Sequence, residues 1–144
     1  TVSASGQTID LSGGGLNDLT GAVTLTGSAV TLADTTATSI AGITATGALT
    51  LTSGGAITQT GAIDADSTAN ISTGASAITL DNAGNDFTGA VSLSNSGAFD
   101  IALTDANALD LGTVVVGQDL TVTNLKLIPP INQRFITHLS KRLR

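Results

Sequence analysis

An all-β solenoid of short strands is the fold class this sequence predicts, and three observations predict it. Short runs alternate aliphatic with hydroxyl residues. Thr-Gly-Ala turns recur between those runs. A nine-residue phrase is written twice: NDLTGAVTL, Asn17 to Leu25, returns as NDFTGAVSL, Asn85 to Leu93, with seven of nine letters identical at an offset of 68. An active site seldom needs copying, but a building block does.

The alternating runs are VTLT from Val23, VTL from Val30, ALTLT from Ala48, AITL from Ala77, AVSLS from Ala90 and LTVT from Leu120. Their period of two is that of a half-buried strand, and Val, Ile and Thr favour strands while Thr, Ser and Gly disfavour helix. Strand centres therefore fall in order near Ile9, Val23, Val30, Ile40, Leu49, Ile57 and Ile63. They continue near Ile71, Ile78, Val91, Ile101, Leu109, Val115 and Val122. The turns between them are short, and Thr20, Thr46, Thr60, Thr73 and Thr88 each open a Thr-Gly-Ala in which Gly permits the bend.

Beyond the duplicated phrase the register continues at an offset of 71, matching Val30 to Ile101, Asp34 to Asp105, Ile40 to Leu111, Leu49 to Leu120 and Leu51 to Val122. Upstream, Ile9 and Leu11 match Ile78 and Leu80 at 69. This supra-repeat of about 70 residues, with copies near 9–76 and 77–123, is too long for one coil and fits roughly three coils of about 20 to 25 residues. A single coil buries too few aliphatic side chains to offset its backbone ordering, whereas stacked coils share hydrogen bonds and apolar faces.

Composition agrees. The 144 residues are 41% hydrophobic, enough for a core, but the apolar residues are Ala, Val, Ile and Leu with three Phe and no Trp, Tyr, Met or Cys. Such a core must be thin and regular. Absence of Cys excludes a disulfide framework and thiolate metal sites without fixing a compartment. No apolar run approaches the ~18 residues of a membrane span. The lack of any Met marks the sequence as an excerpt or a processed product.

All eleven acidic residues are Asp, from Asp10 to Asp119, and the only bases are Lys126, Arg134, Lys141, Arg142 and Arg144, giving a net charge of −6. Residues 1–125 contain no positive charge, so this body has no means of neutralising phosphates and is not a nucleic-acid binder. The chain divides into a repeat region, 1–123, and a basic non-repeat tail, 124–144.

The stretches ALTLTSGGAITQTGAI, LDNAGNDFTGAVSL and LDLGTVVVGQDLTVT resemble the repeats of filamentous-haemagglutinin-like exoproteins, the large bacterial adhesins exported by two-partner secretion. The resemblance covers about residues 9–123. It implies a right-handed parallel β-helix, a secreted or Gram-negative cell-surface location and an outer-membrane secretion partner. It also implies a role as the non-catalytic shaft of an adhesin whose full length meets host-cell or surface glycans or proteins.

Several sharper readings compete with plain architecture. The Gly13 segment, GGGLNDL, and GNDF at Gly84 partly match the calcium-binding nonapeptide of repeats-in-toxin proteins. Their glycines are incomplete, and the two lie about 70 residues apart instead of in tandem. The architectural alternative makes these Asn and Asp turn residues that hydrogen-bond local backbone. A calcium-stabilised repeat domain is nonetheless the runner-up function.

Thr-x-Thr pairs begin at Thr24, Thr36, Thr44, Thr50, Thr58 and Thr121, at intervals too irregular for an ice-binding ladder, so they are expected to be ordinary solvent-facing threonines. Asn70-Ile71-Ser72 is a glycosylation sequon. Asp64 with Asp66, on one strand face, and Asp81 with Asp86, around a turn, are the carboxylate pairs a carbohydrate-processing β-helix would need. No Lys, Arg, His, Tyr or Cys accompanies them in the body. The expectation is no enzyme, no catalytic residue, no metal and no cofactor.

In the tail, Ile131, Phe135, Leu139 and Leu143 recur every four residues among basic side chains, the pattern of an amphipathic helix. The open readings are a membrane-surface contact or the start of another module, a helix covering the open end of the solenoid, or a change of reading frame after Thr123 or another abnormal chain end.

Overall fold

A computed structural model describes residues 1–13 and 17–124. The proposed tail helix at 131–143 lies outside the described residues. Among them, fifteen strands and no helix of regular length occur. They are β1 (Val2–Ala4), β2 (Ile9–Leu11), β3 (Val23–Gly27), β4 (Val30–Asp34), β5 (Thr38–Ala45), β6 (Leu49–Ser53), β7 (Ile57–Gln59) and β8 (Ile63–Ala65). There follow β9 (Ala69–Thr73), β10 (Ile78–Leu80), β11 (Asp86–Phe87), β12 (Val91–Ser94), β13 (Ile101–Asp105), β14 (Leu111–Val115) and β15 (Leu120–Asn124).

Every strand pairing is parallel, and the chain forms a β-solenoid of about six turns. A six-stranded sheet runs β2-β4-β6-β9-β12-β14. A nine-stranded sheet follows β1-β3-β5-β7-β10-β13-β15, with β8 on the far half of β5 and β11 on β8. One register line, Ile9, Val30, Leu49, Ala69, Val91, Leu111, passes through all six strands of the first sheet. Coil length varies between 17 residues, from Val23 to Ile40, and 23, from Ile78 to Ile101. The slack is taken up in the turns and at register shifts such as the one between Val23 and Thr24.

The core is a stack of aliphatic rungs. Val30, Leu49, Ala69 and Val91 are fully buried in one sheet, and Ile57, Ile78 and Ile101 in the other. Leu32, Leu51, Ile71 and Leu93 form a second rung two residues on, as the pleat requires. Among the described residues Phe87 is the one buried aromatic side chain, and it lies in β11, the two-residue strand paired with β8. Thr31, Thr50, Asn70 and Ser92 occupy the intervening outward positions.

Thirteen of the fourteen expected strand centres lie in strands; Leu109 stands just before β14. Of the expected register partners, Val30, Leu49 and Ile101 are buried and Leu120 is half-buried at the last described coil, whereas Leu111, matched to the buried Ile40, is exposed. They do not share a sheet, however. Val30 and Leu49 belong to the six-stranded sheet, Ile101 and Leu120 to the nine-stranded one. With coils of 17 to 23 residues, an offset of 71 spans three coils and part of a fourth, so the second copy is turned about the axis relative to the first.

Coils approach closely at the turns. A Cβ placed on Gly61 would lie 1.9 Å from the carbonyl oxygen of Ala41 in the preceding coil, so the residue there must be Gly. At the Gly97 turn the backbone takes φ +73°, a conformation L side chains rarely adopt.

Candidate functional site

The most highly organised polar chemistry lies inside the solenoid, where asparagine and aspartate side chains tie successive coils together. Asn85 follows β10 by five residues, in the turn that leads to β11, and is fully buried. Its Oδ1 accepts from the Ile63 N–H of the preceding coil at 3.0 Å, and its Nδ2 donates to the Thr104 carbonyl of the following coil at 3.1 Å. Gln59 Nε2 donates to the same Oδ1 at 2.8 Å. Asn95 repeats the device: Nδ2 donates to Ser76 O at 3.1 Å and Phe99 O at 3.0 Å, while Oδ1 accepts from Gly117 N–H at 2.9 Å. Each asparagine thus touches three successive coils, and a side-chain amide suits this because it both donates and accepts.

The duplicated phrase is half of a second device. In its first copy Asn17 Nδ2 donates to the Ala33 carbonyl at 2.9 Å, and Asp34 Oδ1 accepts from the Leu19 N–H at 3.2 Å. In its second copy Asn85 reaches Thr104, and Asp105 Oδ1 accepts from the Phe87 N–H at 3.0 Å. The partners Ala33–Asp34 and Thr104–Asp105 are themselves matched at offset 71. The repeated unit is therefore Asn-Asp-apolar in one coil with an Asp from the next.

The same kind of contact engages the calcium-like segments. Asn82 Oδ1 accepts from the Gly84 N–H at 2.9 Å, and Asn85 N–H closes the turn onto Asn82 O at 3.1 Å. The GNDF and LNDL asparagines are occupied with backbone. Among the described residues no group of three or more His, Cys, Asp or Glu side chains is disposed to hold a metal ion.

Asp64 and Asp66 are both exposed, and Asp64 of β8 stands in register with Asp86 of β11. Burial by its surroundings, then the charges of Asp66 and Asp86, hold the Asp64 carboxyl above its ordinary range. Asp81 and Asp86 flank the Asn82 turn as expected, Asp81 exposed and Asp86 half-buried. Thr44 of β5 stands in register on the other side of Asp64.

Of the threonine pairs, Thr50 and Thr52 sit outward on the six-stranded sheet, where Thr52 Oγ1 lies 3.3 Å from Ser72 Oγ. Thr38 departs from the solvent-facing expectation: it is buried, 3.0 Å from Ser53 Oγ and 3.2 Å from Asp34 Oδ2. Asn70 of the sequon is exposed in mid-strand on β9. Sequence reasoning did not single out Gln59, Asn95 or Asp105; the one signal available for Asp105 was its match to Asp34. No helix among the described residues is long and apolar enough to cross a membrane.

Comparison with known sequences adds one relationship. The family described as "Repeats of unknown function (DUF5649)" matches residues 27–94 and 98–128, more than half of the chain. Neither a curated protein nor a solved structure matches.

Proposed function

The chain belongs to the DUF5649 repeat family, and from that premise we propose that it is a structural shaft segment of a large bacterial adhesin, secreted or exposed at the cell surface, without a catalytic role. The observation that carries this reading is the unbroken register line from Ile9 to Leu111, one residue per coil through the six-stranded sheet. A repeat whose interior polar groups are spent on joining one coil to the next is suited to length and stiffness. Its outward Thr, Ser, Asn and Asp side chains keep a long surface hydrated and uniformly acidic.

The resemblance of its repeats to filamentous-haemagglutinin-like exoproteins supports the surface location and an outer-membrane secretion partner. The glycan or protein ligand then belongs to the full-length adhesin. Protease shaving of intact cells of the bacterium that encodes it tests the proposal. Peptides from residues 1–123 should be released without lysis. Recovery of those peptides only after lysis would overturn the surface-shaft reading.

A further inference from the structure

The two copies of the repeated unit differ at one buried oxygen. In the first, Asp34 Oδ1 faces the N–H groups of Leu19 and Thr36, each at 3.2 Å, and Oδ2 faces the Thr38 hydroxyl at 3.2 Å. In the second, Asp105 is completely buried at the end of β13. Oδ1 has the Phe87 N–H, and Oδ2 has no hydrogen-bond partner. The cause is legible in the sequence. Four residues after Asp34 stands Thr38, whereas four residues after Asp105 stands Leu109, which packs against the core. The copy kept the carboxylate and lost the hydroxyl that served it.

A buried carboxylate oxygen without a partner is costly when ionised and far less so when the group carries a proton. We propose that Asp105 is a pH-sensitive clasp of the C-terminal coils: its buried site favours the neutral carboxyl, and ionisation loosens β11, β13 and β15. The charged group facing it is Asp86 on β11, which adds repulsion to the ionised form. β10 and β15, the strands paired with β13, contain no ionisable residue. Desolvation is the largest influence, raising the carboxyl above 3.8; backbone N–H groups of Phe87, Asn107 and Ala106 oppose it only in part.

The sign of the linkage is fixed by that direction. A folded-state pKa above the unfolded one means the folded chain binds more protons, so stability falls as pH rises from the unfolded value through the raised one. Across that window each pH unit lowers the folded-to-unfolded ratio by up to about tenfold through this group.

Carboxyl 13C NMR titration of the intact chain, together with urea unfolding between pH 3 and 8, tests the proposal. Asp105 should titrate above the ordinary carboxylate range. Asp105→Asn should flatten the decline of stability with pH. Leu109→Thr, which restores the hydroxyl at the spacing of Asp34 and Thr38, should bring the Asp105 titration back toward 3.8. Should Asp105→Asn fail to fold, the wild-type titration and Leu109→Thr still decide. A wild-type Asp105 titrating at or below 3.8, or variant stability curves parallel to wild type, overturns the clasp.

Discussion

Asn85 donates its side-chain amide to the carbonyl of Thr104, one coil further on, at 3.1 Å. Because the same side chain accepts from Ile63 N–H one coil back, its loss strands buried groups in three coils at once. Asn85→Ala should cost about 1–3 kcal/mol for each buried group left unpaired. Asn82→Ala, at a more accessible site whose side chain serves the turn and the Thr60 carbonyl at 3.5 Å, should cost less. Denaturant unfolding of the two variants side by side checks this ordering.

Phe87 in β11 is fully buried, whereas Phe99 is 41% exposed. Phe87→Ala should lower stability by about 3–5 kcal/mol through lost burial and the cavity it leaves. Phe99→Ala should change it by less than about 1 kcal/mol, in keeping with its exposure. Equal effects would mean that the corner around β11 is not packed as described.

Two glycines of the Thr-Gly-Ala turns make a matched pair. A Cβ on Gly61 meets the Ala41 carbonyl at 1.9 Å, while one on Gly74 meets nothing within 4 Å. Gly61→Ala must push two coils apart and should cost on the order of 1–3 kcal/mol. Gly74→Ala should be neutral or slightly stabilising, because Ala restricts the unfolded chain. Thermal melts of the pair measure the difference.

Asp64 offers a surface counterpart to Asp105. Its carboxyl is held high by desolvation and by Asp66 and Asp86, so the folded chain binds its proton more tightly and stability falls as pH rises from 3.8 through the raised value. Asp64→Asn should therefore be slightly more stable than wild type at pH 7, by well under about 1 kcal/mol at so exposed a site. The advantage should vanish near pH 3, and added salt should narrow the part due to Asp66 and Asp86.

Much of this architecture was legible in the sequence because alternation and burial coincide along strands such as Leu49–Ser53, where a period-two pattern leaves one choice of inward face. The two-residue strand Asp86–Phe87 was not, since two residues cannot show a period. Nor was Val2–Ala4, a terminal strand with neither end buried. The offset of 71 identified equivalent residues correctly yet concealed that they lie in different sheets, because a repeat in sequence need not be a whole number of turns. Thr38 looked like any strand threonine; only the fold reveals that it faces Asp34 and Ser53 inside. The Asn-Asp phrase was visible as a duplicated corner, while its partners sit 15 to 19 residues away and become neighbours only when the coil closes.

The central claim is that the coil is the unit of this molecule, and deletion of one coil tests it most directly. Removing residues 49–68 brings Ala69 into the place of Leu49, its register partner, so β4 can pair with β9 and the rungs close again. That variant should retain its β-type circular dichroism and a single cooperative melt. Removing residues 49–58 alone leaves half a coil, takes Ile63 out of register with Ile43, and should abolish the melt. If the whole-coil deletion unfolds the chain while the half-coil deletion leaves it folded, the stacked-coil account is contradicted.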